Sequence, residues 1–227
     1  MDDYTIHLNV NVAKVGDRNV AVSKERIWRP LVSLHTYFGS GKTPLPGYIW
    51  DAFGLSMITN TAIIVEGVIA DLIDEYCVGN NITPAWGTDL DRLTWAGKRQ
   101  KYDSLFAKKL ESYKGFDAVE ILFLFRNNVA HGLAHLEESS NQEVTNERTD
   151  LESINRNYEL IRKFFIQRRL MEVKNVSSNS DQLWQHRNVS YLWFEVKCFL
   201  DDVIKGNEST FKEGIIGEWK TATEGRG

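Results

Sequence analysis

Between about residues 50 and 77 the apolar side chains Phe53, Met57, Ile64, Ile69, Leu72, Ile73 and Tyr76 recur at mixed three- and four-residue spacings. That period runs along one side of an α-helix and does not suit a strand, whose side chains alternate every two residues. A helix this long with an apolar stripe must be covered by other elements, and the downstream pattern supplies them. Further helices are expected over about 89–113, from Phe116 to about His131, from about Asp150 to Val173, and around 188–205. Asp150 suits an N-cap with Glu152 close behind. Loops are expected at 38–48 and 79–89, where Gly, Pro and Asn cluster, at the polar stretch 137–143, and at the Ser/Asn linker 176–180.

The first residues follow another rule. Thr5-Ile6-His7-Leu8-Asn9-Val10-Asn11-Val12 alternates apolar and polar, and Val20-Ala21-Val22 follows the turn signal Gly16-Asp17. The expected class is therefore all-α: a helical bundle over 49–205, a small β-containing N-terminal extension over 1–48, and a C-terminal tail over 206–227. At about 150 residues per domain, 227 residues allow one domain with an appendage.

Composition narrows the function classes. A chain 42% hydrophobic and 26% charged has ordinary globular balance, which excludes disorder throughout. Lys and Arg total 27 against 31 Asp and Glu, a net charge of −4, so the chain does not coat nucleic acid by bulk charge, although a local basic patch is allowed. Two cysteines, Cys77 and Cys198, cannot build a disulfide scaffold or a Cys-rich zinc module and read as apolar filler in a reducing compartment. The start Met1-Asp2-Asp3-Tyr4 is acidic where a secretory signal is basic. The longest uninterrupted apolar runs are cut by Glu66 and by Arg126, short of about 20 residues. A cytoplasmic protein without a membrane partner is expected.

Some motifs mimic chemistry. Gly39-Ser40-Gly41-Lys42-Thr43 resembles a phosphate-loop fragment, but Thr36 stands where its first glycine belongs, and Pro44 and Pro46 block the helix that would hold the phosphate. His131 and His135 are spaced for zinc, yet Gly132 follows where a metalloprotease has glutamate, and no metal or cofactor is expected. His7, His35 and His186 have no motif around them. The seven tryptophans are scattered and read as core and interface anchors.

One segment is different. Leu122-Phe123-Leu124-Phe125 runs into Arg126-Asn127-Asn128-Val129-Ala130-His131-Gly132, an apolar helix ending in cations and amides. Gly132 suits the position just past a helix end, which puts His131 in the last turn, where the dipole favours the imidazolium. Arg126 and His131 could simply cap that helix. The two asparagines have poor helix propensity, which asks for a reason.

Arg-Asn, three residues, then His-Gly at the end of an apolar helix resembles the R-x4-H motif of HEPN domains, all-α domains of prokaryotic toxins, defence proteins and some RNases. The resemblance covers roughly residues 50–205, and an earlier apolar helix carrying Glu66 adds to it. It implies metal-independent endoribonuclease activity yielding a 2′,3′-cyclic phosphate, in a toxin–antitoxin, stress or phage-defence setting. Arg126 would hold the scissile phosphate, His131 would be the general acid–base, and Asn127 would orient one of them. Glu66 would either line a solvated stripe or pair with Arg126; Glu120 and Asn128 are supporting candidates. Arg126 and His131 lie five apart, about 140° around a helix. A two-fold dimer through this helix, which the resemblance also implies, would bring two copies of the motif into one cleft. Leu133 stands where toxins paired with a nucleotidyltransferase antitoxin carry tyrosine, so that class of antitoxin gains no support, though an antitoxin or other regulatory partner remains expected. RNA would meet the basic, aromatic-interleaved run carrying Arg162, Lys163, Arg168 and Arg169, with Lys98-Arg99-Gln100-Lys101 and Lys108-Lys109 as lesser patches. The alternatives are a non-catalytic HEPN-like module binding nucleic acid, a nucleotide or a protein, and a purely structural bundle.

Overall fold

A computed structural model describes residues 10–15, 18–23, 47–82, 93–138, 148–171, 186–207 and 214–224, with Trp28, Arg29, Leu31, Val32, His35 and Leu183. Its helices are α1 (Gly47–Gly79), α2 (Trp95–Leu105), α3 (Phe116–Glu138), α4 (Arg148–Gln167), α5 (His186–Gly206) and α6 (Ile215–Glu224), with a 3₁₀ turn at Leu110–Ser112. Ahead of them β1 (Val10–Val15) and β2 (Arg18–Ser23) pair antiparallel, with Val10 opposite Ser23 and Val15 opposite Arg18.

α1 is the spine, about 50 Å long at 1.5 Å per residue. Met57, Ile58, Ala62, Ile64, Val65, Val68, Ile69, Leu72 and Ile73 are all but fully buried. It packs chiefly against α5, α3 and α2, while α3 packs against α4 and α5. Their apolar faces close around it: Leu122 and Phe125 of α3, Ile161 and Phe165 of α4, and Val196, Phe199, Leu200 and Val203 of α5. Averaged along the helix, Phe53–Gly79 reaches membrane-spanning length and apolarity, which the count of uninterrupted runs missed. More than half of the apolar window, 56%, is buried here, and a core helix meets the same measure.

The helix ends explain where the sequence expectation shifts. α1 stops in a Schellman motif without glycine: Asn81 takes φ 56°, and Ile82 N–H donates to the Cys77 carbonyl at 2.9 Å. α4 stops the same way at Gln167 rather than near Val173, with Arg169 at φ 58° and Leu170 N–H donating to the Phe165 carbonyl at 2.9 Å. Its start is at Arg148, so Asp150 lies inside the first turn and not at the N-cap. α2 is shorter than the 89–113 expected; Thr94 Oγ1 caps it, accepting from Gly97 N at 3.4 Å. The chain then leaves the helix at Phe106, and Asp103 Oδ1 accepts from Leu110 N at 2.9 Å to hold the turn.

Two corrections bear on function. α3 does not end at Gly132 but continues to Glu138, so His131 is more than a turn from the helix end. The helix dipole therefore does not favour the imidazolium there, since that field acts within the last turn. Nor is all of 206–227 a loose tail: α6 buries Ile215, Trp219 and Ala222. Ile215 N donates to Glu75 Oε1 at 2.9 Å, and Trp219 Nε1 donates to Asp201 Oδ1 at 2.7 Å.

The described residues between 28 and 35 are helical; Trp28, Val32 and His35 are buried in the core, with Trp28 Nε1 donating to Asp71 Oδ2 at 2.6 Å. His35, one of the histidines without a motif, is fully buried, edge-on to Trp193 and 3.3 Å from Thr61 Oγ1. Burial pushes its pKa down to about 4 from an ordinary 6.5. The unfolded chain therefore takes up this proton first, and His35 contributes stability that is full above pH 6.5 and is lost as pH falls toward 4. Between pH 7 and pH 5 the loss is about 2 kcal/mol. Urea unfolding of wild type and His35→Gln at both pH values checks it: the variant is expected to show that much less acid sensitivity, and equal sensitivity in the two would refute the assignment.

Both cysteines are unpaired by disulfide; Cys77 is buried, Cys198 only half-buried, and burial pushes both thiols upward. Trp28, Trp95, Trp193 and Trp219 are core residues, as expected of scattered tryptophans. Trp50, Trp86 and Trp184, together with the 39–43 glycine loop, lie outside the residues whose side chains are described.

Candidate site at the junction of three helices

Arg126 lies midway along α3, where the apolar run stops. Its guanidinium sits over the ring of Phe123, 5.1 Å from the centroid, and Phe123 stacks face to face on Trp95 of α2 at 4.6 Å. Across from it, α1 presents Glu66, whose Oε1 is 3.7 Å from Arg126 Nη1. Of the two readings of Glu66, the pairing with Arg126 is the geometry observed. The same carboxylate reaches a third residue: Lys98 Nζ of α2 lies 3.6 Å from Glu66 Oε2.

Lys98 is the residue that sequence reasoning missed. In the sequence it stands with Arg99 and Lys101 in a charge run, but its side chain is only 7% exposed. The signal was its spacing. Trp95, Lys98 and Tyr102 are the buried residues of α2, at positions one, four and eight of one helical stripe. A lysine in an apolar stripe is buried only when something pairs with it.

Two cations therefore flank one carboxylate. Both separations exceed the 2.7–2.9 Å of a charge-assisted hydrogen bond, so Glu66 offsets the charges without saturating their donors. Arg126 Nε is buried and has no hydrogen-bond partner among the described residues, while the Arg126 side chain as a whole is 33% exposed. Among the described residues the cluster carries one net positive charge and an unused donor beside an aromatic floor. It is suited to an anion.

The other candidates divide. Asn127 is exposed, next to the cluster along the helix. Asn128 turns the other way: buried, it accepts from Asn157 Nδ2 at 3.2 Å and fastens α3 to α4. That gives one of the unfavourable asparagines its reason. Glu120 belongs to a different cluster. It accepts from Trp95 Nε1 at 3.3 Å and lies 3.7 Å from Arg99, which also meets Glu111 at 2.6 Å. Glu120, Trp95 and Arg99 line an open groove of about 400 Å³ between α2 and α3, with Ala96, Gln100 and Asp103.

The basic run on α4 is not brought to Arg126 as a unit. Arg168 is held by Asp117 at 2.6 Å and stacks over Phe164, 3.6 Å from its centroid. Asp117 precedes Arg126 by nine residues of α3, about 13 Å of helix. Arg169 serves in the left-handed helix stop, Lys163 is exposed, and Arg162 lies 3.9 Å from Glu159. Phe164 and Phe165 are core residues. The lesser patches are engaged too, Arg99 as above and Lys108 over Tyr113 at 3.7 Å.

The side chains of His131 and His135 lie outside the described residues. The helix through them is continuous, so register alone places them. Asn127, His131 and His135 follow at four-residue steps on one stripe, while Arg126 stands about 140° from His131. Among the described residues no group of three or more His, Cys, Asp or Glu is arranged to hold a metal ion. Comparison with protein-family models, curated proteins and solved structures finds no match.

Proposed function

We propose that this chain is a HEPN-type endoribonuclease acting on RNA in the cytoplasm as a two-fold dimer through α3. The observation that carries the reading is Arg126, held in the R-x4-H segment by Glu66 with part of its guanidinium exposed and one donor unused. In this mechanism Arg126 neutralises the scissile phosphate. His131 takes the proton from the ribose 2′-hydroxyl as its oxygen attacks phosphorus, or returns one to the 5′-oxygen as the P–O5′ bond breaks. The substrate supplies the nucleophile, and the products are a 2′,3′-cyclic phosphate and a 5′-hydroxyl. Glu66 holds the arginine, and Asn127, exposed on the His131 stripe, is placed to orient the imidazole or the phosphate.

The angle between Arg126 and His131 makes the dimer part of the proposal. On a straight helix one copy does not aim both groups at one phosphate, and in this proposal a second copy across a two-fold axis brings the complementary group into the same cleft. Size-exclusion chromatography with light scattering is expected to give about twice 26.1 kDa; a monomer at all micromolar concentrations removes the shared cleft. The same angle favours a second reading, a HEPN-like module that binds RNA, a nucleotide or a regulatory protein without cutting. Incubating total RNA with the protein in EDTA separates the two: cleavage supports the enzyme, and binding without cleavage supports the module. A toxin–antitoxin, stress or phage-defence role follows from the same resemblance and stands with it.

A further inference from the structure

We propose that Lys98 is a second phosphate-binding residue of this site, forming with Arg126 a two-cation clamp that Glu66 holds open. This deepens the reading of Arg126 as the phosphate-holding group and rests on it. Three observations lead there. Lys98 is nearly buried, and the one charge it meets among the described residues, Glu66 at 3.6 Å, is shared with Arg126 at 3.7 Å, so within them a single carboxylate faces two cations. Neither pair is close enough for a direct hydrogen bond, and Arg126 Nε has no partner among the described residues. The floor beneath is the Phe123–Trp95 stack, which offers no acceptor to the guanidinium except its ring faces.

A partly buried centre with a surplus positive charge is unfavourable until an anion joins it. Of the anions that fit, a phosphodiester uses both donor types: the arginine fork takes two oxygens side by side, and the lysine acts as a point charge on the same group. Glu66 then has a mechanical task. It offsets part of the cations' charge while the site is empty and leaves their donors free, so it competes with the phosphate without occupying its place. Because α2 carries Lys98, α1 Glu66 and α3 Arg126, the clamp also requires all three helices to be seated before phosphate binds tightly.

The test uses a fluorescent 2′-O-methyl oligoribonucleotide, whose blocked 2′-oxygen cannot attack, so binding is read without cleavage. Anisotropy titrations at several salt concentrations compare wild type with Lys98→Met, Lys98→Arg and Glu66→Gln, each checked for helicity by circular dichroism. Lys98→Met is expected to weaken binding about ten- to a hundredfold and to lower the slope of log K against log salt by about 0.7. Lys98→Arg keeps most of both. Glu66→Gln, which removes the competing charge, is expected to tighten binding severalfold, and this variant decides the matter if Lys98→Met fails to fold. Folded Lys98→Met binding like wild type, Glu66→Gln binding no tighter, or wild type not binding the oligonucleotide would each overturn the clamp. Lys98-dependent binding with no cleavage of unmodified RNA leaves the clamp standing and removes the ribonuclease.

Discussion

Arg126→Ala and His131→Ala are each expected to reduce RNA cleavage in EDTA by about 10²- to 10⁴-fold, the range that a general acid–base group or a charge-neutralising donor contributes, with the helical fold retained. Retention follows for Arg126 from its surroundings. Its ion pair with Glu66 is long at 3.7 Å and a third exposed, and such pairs contribute about 0–1 kcal/mol; the contact with Phe123 adds about as much. Loss of cleavage with an unchanged melting transition therefore assigns the arginine to chemistry, whereas a variant that unfolds assigns it to structure. Mixing the two dead variants carries the argument further. If each site takes Arg126 from one protomer and His131 from its partner, a mixed dimer holds one intact site and one doubly defective site. Random exchange makes half the dimers mixed, so about a quarter of wild-type activity returns. If both groups act within one protomer, mixing restores nothing, and the shared cleft is wrong even where the RNase is right.

The legible part of this site was the part written in local pattern. Glu66 ending Ile63-Ile64-Val65 and Arg126 ending a second apolar run mark both residues in the sequence, which leaves open whether Glu66 lines a solvated stripe or pairs with Arg126. Lys98 obeys the same logic, but its neighbours Arg99 and Lys101 masked it as one member of a basic run. Charge runs are read by composition, and only the register of Trp95 and Tyr102 separates the buried lysine from the exposed ones. The end of α3 is misplaced where glycine reads as punctuation. Gly132 lies inside α3, at a cost of about 1 kcal/mol that the flanking turns outweigh, while α1 and α4 stop on Asn81 and Arg169 in left-handed conformation. α6 was illegible for a different reason. Gly214, Gly217 and Gly225 weaken the local pattern there, and what fixes it is remote: Glu75 lies 140 residues from Ile215, and Asp201 lies 18 from Trp219. No local window contains that information.

Gly115→Ala is expected to cost about 2–5 kcal/mol, the sum of about 1–2 for a left-handed alanine and about 1–3 for overpacking, and this one position governs how the helix bearing Arg126 is seated. Gly115 has φ +82°, and its carbonyl accepts from Ala118 N at 3.0 Å and Val119 N at 3.3 Å, so it closes the first turn of α3. A Cβ there would stand 2.8 Å from the Glu195 carbonyl oxygen and 3.3 Å from Phe199 Cβ. The first obstacle is backbone of α5, which cannot rotate aside as a side chain can. Either α3 and α5 separate at this end, exposing Phe116 and Phe199, or the turn before α3 is rebuilt. The comparison that isolates the effect is Gly217→Ala, the same chemical change inside α6, where nothing among the described residues lies within 4 Å of the added carbon. There the alanine raises helix propensity and is expected to stabilise by up to about 1 kcal/mol. Urea unfolding of the two variants should thus move the midpoint in opposite directions with similar slopes. If Gly115→Ala instead unfolds within about 0.5 kcal/mol of wild type, the close approach of α3 and α5 described here is wrong, because an ordinary surface substitution has an effect of that size.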